Sequence, residues 1–303
     1  MYINKISVLV IATIMMNSCS IKNAKNKQPT IVTTTGIIGD CVSQIVGEQA
    51  KVISIMGAGV DPHLYKASQG DIAKLSQADI IVYNGLHLEG KMAQMLENFS
   101  KTKPVFSVGD YIEKTDLKEV DKTSDLVDPH VWFSPNLWID GLGGIALELD
   151  KLEGLDSIIE RYKSYALEIK STQTMLQKLL DKNLDSNERI LITSHDAFEY
   201  FGDAFKFKVR GLQGISTTAE YGTKDIKDLT DFIINNNIKS VFVETSVPNK
   251  NLEAVVASAQ ARDYSIRIGG TLYSDALGEK NTPAGTYKGM LISNVQTIIK
   301  GLK

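Results

Sequence analysis

From Thr30 onward, short β-branched apolar runs alternate with amphipathic stretches. TIVTTTG (30–36), KVISIMG (51–57), DIIVYNG (79–85) and KPVFSV (103–108) read as strands, and SQGDIAKLSQ (68–77) and EGKMAQMLENF (89–99) as helices. A second series opens at Arg189 with RILITSH, FKVRGLQ, KSVFVETS and YSIRIGG, interleaved with the helical TKDIKDLTDFIINN and KNLEAVVASAQ. Alternation of this kind predicts mainly parallel sheets flanked by helices, and two series predict two α/β lobes. Between them, Leu155, Ile158, Ile159, Tyr162, Ala166, Ile169, Leu176, Leu179 and Leu180 recur at helical spacing with no Pro or Gly. That stretch predicts one long helix of about 40 to 45 Å, with a charged, solvated opposite face.

The N-terminus has a different character. Lys5 precedes an apolar run, Ile6 to Met16, too short to span a bilayer but suited to a signal-peptide core, so residues 1–18 are set apart from the fold. In the MNSC that follows, Ser18 precedes Cys19 as in a bacterial lipoprotein cleavage site. Met16 stands where Leu is usual and Asn17 where a small residue is expected. The two outcomes are lipid on Cys19 or simple cleavage and release into the periplasm, with residues 19–29 as a polar tether. Lipid on Cys19 leaves Cys41 without a partner, so no disulfide framework is expected. Cys41 sits with Ile37, Ile38, Val42 and Ile45 at helical spacing and reads as a buried small hydrophobe.

Composition narrows the classes further. With 43% hydrophobic and 23% charged residues, the chain is that of a globular protein. The formal charge of -3 shows no basic excess, and no cluster of Lys and Arg interleaved with aromatics occurs, which argues against nucleic acid as a partner. Neither GxxxxGK[ST] nor a full GxGxxG follows a strand, and GLGG at Gly141 lies in a helical context.

Candidate chemistry centres on the histidines, of which there are four. His63 and His130 share a Val-Asp-Pro-His frame, in which the proline stiffens the loop that presents the imidazole. His63 follows the strand KVISIMG, and His195 ends RILITSH; both fall at carboxyl ends of strands, where α/β sheets build their sites. His130 precedes Ser134-Pro135, which reads as a helix start. A lone histidine is more often a packing or capping group, but three from both lobes point to a transition metal, completed by a carboxylate. Asp275, on a glycine-flanked loop after YSIRIGG, is the best carboxylate; Glu244 and Asp196 are its rivals, and spacing alone leaves all three open. His87 is assigned to the entrance of the following helix. Asp61 and Asp128 are placed to orient the neighbouring imidazoles or to cap their loops.

GVDPHLYKASQGDIAKL, ADIIVYNGLHLEGKM, DPHVWFSPNLW, ITSHDAFEYF, VRGLQGIST, VFVETSVPNKNLEAV and GGTLYSDALGEKNTPAGTYKGM occur in this order across residues 30–303. Together they resemble the TroA-like cluster A-I (cluster 9) solute-binding proteins of zinc and manganese ABC importers. The resemblance implies two Rossmann-like lobes of mainly parallel sheet, 30–153 and 184–303, joined by a long rigid α-helix, 154–183. It implies one Zn2+ or Mn2+ ion as cargo, held between the lobes by His63, His130, His195 and Asp275. It further implies an exported, monomeric protein that hands the ion to a membrane permease. Manganese-favouring members usually carry Glu where this chain has His195, and many zinc-dedicated members have a histidine-rich loop before the second ligand, which this chain lacks. Three imidazoles and one carboxylate favour zinc. A zinc hydrolase with Glu244 as general base, or a surface adhesin, are the competing classes, but neither HExxH nor GxSxG is present. A continuous linking helix resists hinge bending, so uptake is expected to rearrange the loops of His195 and Asp275 more than it swings the lobes.

Overall fold

The computed structural model describes residues 28–120, 125–218 and 221–303. The signal peptide, Cys19 and all but the last two residues of the tether lie outside the described residues.

Two four-stranded parallel sheets form the scaffold. The first holds β1 (Thr30–Thr33), β2 (Lys51–Ser54), β3 (Ile80–Tyr83) and β4 (Val105–Ser107) in the order β2-β1-β3-β4. The second holds β5 (Ile190–His195), β6 (Lys208–Gln213), β7 (Ser240–Glu244) and β8 (Arg267–Leu272) in the order β6-β5-β7-β8. Each sheet begins on an inner strand, steps outward, then crosses to the other side. The two lobes therefore repeat one topology, and each has its switch point beside its first strand, where parallel sheets open a crevice for ligands.

Strand alternation sets what lies above and below each sheet. In β1, Ile31 joins the largest hydrophobic cluster and Val32 a second cluster on the opposite face; in β5, Leu191 and Ile192 divide in the same way. The outer face of the N-terminal sheet is covered by α2 (Gln69–Gln77) and α3 (Ala93–Ser100), that of the C-terminal sheet by α7 (Thr223–Asn235) and α8 (Lys250–Gln260). Ser68 and Asp71 start α2 with a reciprocal capping box.

The largest cluster belongs to neither lobe alone. It takes in α1 (Gly36–Val46), α4 (Pro135–Asp150), α5 (Ile158–Asn183), α6 (Glu199–Phe205) and α9 (Tyr287–Leu302), and runs unbroken from Ile31 to Ile298 through the seam between the sheets. Cys41 on α1 is fully buried in it, and burial pushes its thiol far up, so it is inert. At the start of α4, Ser134 takes the N-cap and Pro135 the first turn, although the Ser134 hydroxyl makes no capping bond.

Helix α5 joins the lobes and, at 26 residues, is about 39 Å long. It begins at Ile158, inside the 154–183 span read from sequence. Gly154 (φ 83°) and Ser157 (φ 57°) are left-handed, so the helical backbone cannot start earlier. Ile158, Tyr165, Ala166, Ile169, Leu176 and Leu180 bury one stripe of it. At its far end the buried Arg189 guanidinium donates to Asp181 Oδ1 on α5 (2.6 Å) and to the carbonyls of Leu184 and Phe205, fixing α5 to β5. Among the described residues, no helix is long and apolar enough to cross a membrane.

Candidate metal centre

The ends of the strands bring four side chains to one point. His63 lies in the loop after β2, His130 ahead of α4, His195 at the last position of β5, and Asp275 in the loop after β8. One donor atom from each lies within 4.8 Å of all the others. Nε2 of His63 is 3.3 Å from Nε2 of His130, and Asp275 Oδ1 is 3.4 Å from His130 Nε2 and 3.5 Å from His195 Nε2. All four residues are buried, none more than 4% exposed.

Each repeated Asp-Pro-His frame folds the same way, with the aspartate accepting the backbone N–H of the histidine two residues on: Asp61 Oδ1 from His63 at 2.8 Å, Asp128 Oδ1 from His130 at 2.9 Å. The frames then differ. Asp128 Oδ1 also meets the His130 ring at Nδ1, 2.6 Å away, whereas Asp61 turns its other oxygen away from the His63 ring. The loop of His130 is braced further by Asn84, whose amide donates to the Pro129 carbonyl (3.0 Å). Asn84 in turn is held by the buried Glu89 carboxylate, which also accepts from Gly85 N–H and the Thr34 hydroxyl.

His195 has an equivalent brace. Glu244, which ends β7, accepts the His195 backbone N–H at 2.9 Å and brings Oε2 to 2.6 Å from Nδ1, close enough for strong attraction though out of line for a straight hydrogen bond. A carboxylate at the far nitrogen of an imidazole fixes the ring and makes Nε2 a better donor to a cation. Asp275 is oriented through Oδ2 by the Ser246 hydroxyl at 2.9 Å, leaving Oδ1 without a hydrogen-bond partner.

Charge follows from these contacts. Burial, reinforced by the neighbouring His130 and His195 rings and only partly opposed by Asp275, pulls the His63 imidazole down to about 3. Burial also opposes charge on His130, but Asp128 and Asp275 outweigh it and lift the ring to about 8. For His195, burial is overcome by Glu244 and Asp275, which raise it well above the usual range; Asp275 resists the raising effect of burial and is held well down by His195 and His130. The surrounding carboxylates thus favour the protonated form of His130 and His195, and a divalent cation, which needs neutral imidazoles, would compete with those protons.

The rival carboxylates fall outside the cluster. Glu244 stands behind His195, and Asp196 faces a separate cavity of about 320 Å³ lined with Arg210, Asp225 and Asp228. His87 is exposed, ahead of α3, and lines a groove of about 870 Å³ with Glu97 and Asp110. Two contributors that sequence reasoning passed over are Ser246 and the Asn84–Glu89 pair; each acts across chain separations for which no local pattern exists.

Gly211 shows how tightly β6 is fitted behind the site. It pairs with Thr193, and a Cβ there would lie 2.5 Å from the His195 carbonyl carbon and from the Asp196 nitrogen, backbone atoms that cannot turn aside. Gly211→Ala is expected to cost ~1–3 kcal/mol, read by urea unfolding, and to weaken metal binding by displacing His195.

Two like-built lobes that bring four buried donors to one point at the seam define the architecture of a two-lobed binding protein. Comparison with known proteins names the particular kind. The family model described as zinc-uptake complex component A, periplasmic (ZnuA), matches residues 31–301. The chain is 42% identical over 301 residues to the manganese-binding lipoprotein MntA of Bacillus subtilis, covering 97% of each. It is 37% identical over 281 residues to the zinc-binding protein TroA of Treponema pallidum, covering 92% of this chain and 90% of that one. The solved structure of the periplasmic zinc-binding protein TroA from Treponema pallidum superposes with a TM-score of 0.87 at 38% identity, covering 91% of this chain and 99% of that one. The chain belongs to the ZnuA family of zinc-uptake components. Membership makes it a metal-binding component of transport that works outside the cytoplasm, and not an enzyme.

Proposed function

We propose that the chain captures one zinc or manganese ion outside the cytoplasm through His63, His130, His195 and Asp275, and delivers it to the membrane permease of an ABC importer. One observation carries this reading. The four donors, two from each lobe, are buried within 4.8 Å of one another, and Asp275 Oδ1 and His195 Nε2 have no hydrogen-bond partner. Buried polar atoms are ordinarily satisfied, and a cation at their centre satisfies these. The relatives MntA, a manganese-binding lipoprotein, and TroA, a zinc-binding protein, support the choice of ions.

Four protein donors complete a tetrahedral shell and leave no position for an activated water, so the site suits holding an ion and not hydrolysis. A nitrogen-rich set holds zinc more tightly than manganese at equilibrium; manganese is carried where its supply exceeds that of zinc. Lipid on Cys19 would tie a monomeric protein to the membrane near its permease, with residues 19–29 as tether. The division into residues 30–153, 154–183 and 184–303 is part of the same proposal.

Elemental analysis of protein purified without added metal, followed by competition between zinc and manganese, tests the reading. The expected result is one ion per molecule, with zinc displacing manganese. At a free zinc concentration 1,000 times Kd, stability should rise by ~4 kcal/mol, seen as a higher melting temperature. An identical melting temperature with and without both metals would overturn the reading.

A further inference from the structure

We infer that the hydrogen bond between Asp61 and Thr217 is a latch across the mouth of the cleft, holding the His63 loop against the C-terminal lobe and setting how fast a bound cation leaves. The inference rests on the metal-carrying reading above.

Contacts between the lobes are unevenly distributed around the four donors. On the His130 side they are many and buried. The Trp132 indole donates to the Ser274 carbonyl (3.0 Å), the Tyr287 hydroxyl to the Trp132 carbonyl (2.7 Å), and the Tyr200 hydroxyl to the Asp128 carbonyl (3.2 Å), while Phe133 stacks on Phe198 at 4.4 Å. That side lies within the unbroken core and has no freedom to part. His195 is part of a strand and is backed by Glu244, and Asp275 is held by Ser246.

The loop of His63 is different. Among the described residues, no carboxylate backs its ring in the way Asp128 backs His130 and Glu244 backs His195. The Asp61 carboxylate, in the sequence place that Asp128 occupies beside His130, gives one oxygen to the His63 backbone and the other to the Thr217 hydroxyl on the loop after β6, 2.6 Å away. Beside it, Gly59 (φ 69°) brings the loop backbone close to the C-terminal lobe: a Cβ there would lie 3.3 Å from the Thr245 carbonyl oxygen. Leu64, the next residue after His63, is half exposed, so the loop forms the solvent-facing wall of the site. Of the four donors, His63 is thus the one whose withdrawal disturbs least, and the Asp61–Thr217 bond is what opposes it. Sequence had pointed to the loops of His195 and Asp275 as the moving parts; their bracing assigns that part to His63 instead.

The test is the rate at which zinc passes from the loaded protein to an excess of chelator, followed by stopped flow. Thr217→Val keeps the shape and removes the donor, and should release zinc about tenfold faster, as expected for losing one charge-assisted hydrogen bond. Thr217→Ser should release at the wild-type rate. Asp61→Asn should also speed release, and its combination with Thr217→Val should be no faster than the faster single variant. The metal-free melting temperature of Thr217→Val should fall only slightly, since one hydrogen bond outside the core is lost; if it falls steeply, Asp61→Asn carries the same comparison. Wild-type release from Thr217→Val and Asp61→Asn, fast release from Thr217→Ser, or additive effects would overturn the latch. A wild-type protein that takes up no zinc would instead overturn the metal-carrying reading itself.

Discussion

Replacing His195 by alanine is expected to lower zinc affinity by more than about 100-fold while leaving the metal-free protein folded. Removing a group that merely orients a metal-bound histidine costs about 10–100-fold, and removing a donor itself should exceed that. The fold should survive because the β5 backbone is unchanged and Glu244 still accepts the N–H of residue 195, so the buried carboxylate keeps a partner. His87→Ala is the matched control: its side chain is exposed and lies outside the four donors, so its affinity should equal that of the wild type. Chelator competition measures both. Equal affinities for His195→Ala and wild type would remove His195 from the site.

Trp138→Ala is expected to cost ~3–5 kcal/mol of stability, the range for emptying a fully buried large aromatic position. Trp138 on α4 is fully buried, lies against Trp132 and Tyr287 with ring centroids 6.5 and 6.0 Å away, and donates its indole N–H to Cys41 Sγ at 3.3 Å. It thus joins α1 and α4 of the first lobe to α9 of the second. Because the packing it belongs to crosses the seam, urea unfolding followed by tryptophan fluorescence and by circular dichroism should show one coincident transition, displaced to lower urea in the variant. Two separated transitions in the wild type would show that the lobes do not share a core.

Much of this architecture was legible from local pattern. The strand runs around Ile31, Ile81, Ile192 and Phe242, and the helical stripe from Ile158 to Leu180, declare themselves because side-chain periodicity is a property of a few consecutive residues. The histidines His63, His130 and His195 stood out because prolines and strand ends mark where a parallel sheet presents ligands. What spacing left open was the choice among Asp275, Glu244 and Asp196. Alike in type, they are separated only by how β7 pairs with β5 and β8 with β7, contacts such as Thr193 with Phe242 and Ser240 with Arg267 between segments distant in the chain. The two Asp-Pro-His frames make the same point. Nothing local distinguishes Asp61 from Asp128, yet one faces its own imidazole and the other meets Thr217, 156 positions away. Helix α5 itself starts at Ile158, four residues inside the 154–183 span; Gly154 and the polar Asp156-Ser157 pair were local signs of a boundary, but the left-handed backbone at Ser157 is not readable from residue type.

The packing that runs through the seam also constrains how such a molecule can be made. Cutting the gene between the two sheets would leave each fragment with an oily flank facing water, prone to stick to whatever it met. A carrier built this way has to cross the membrane and mature as a single polypeptide.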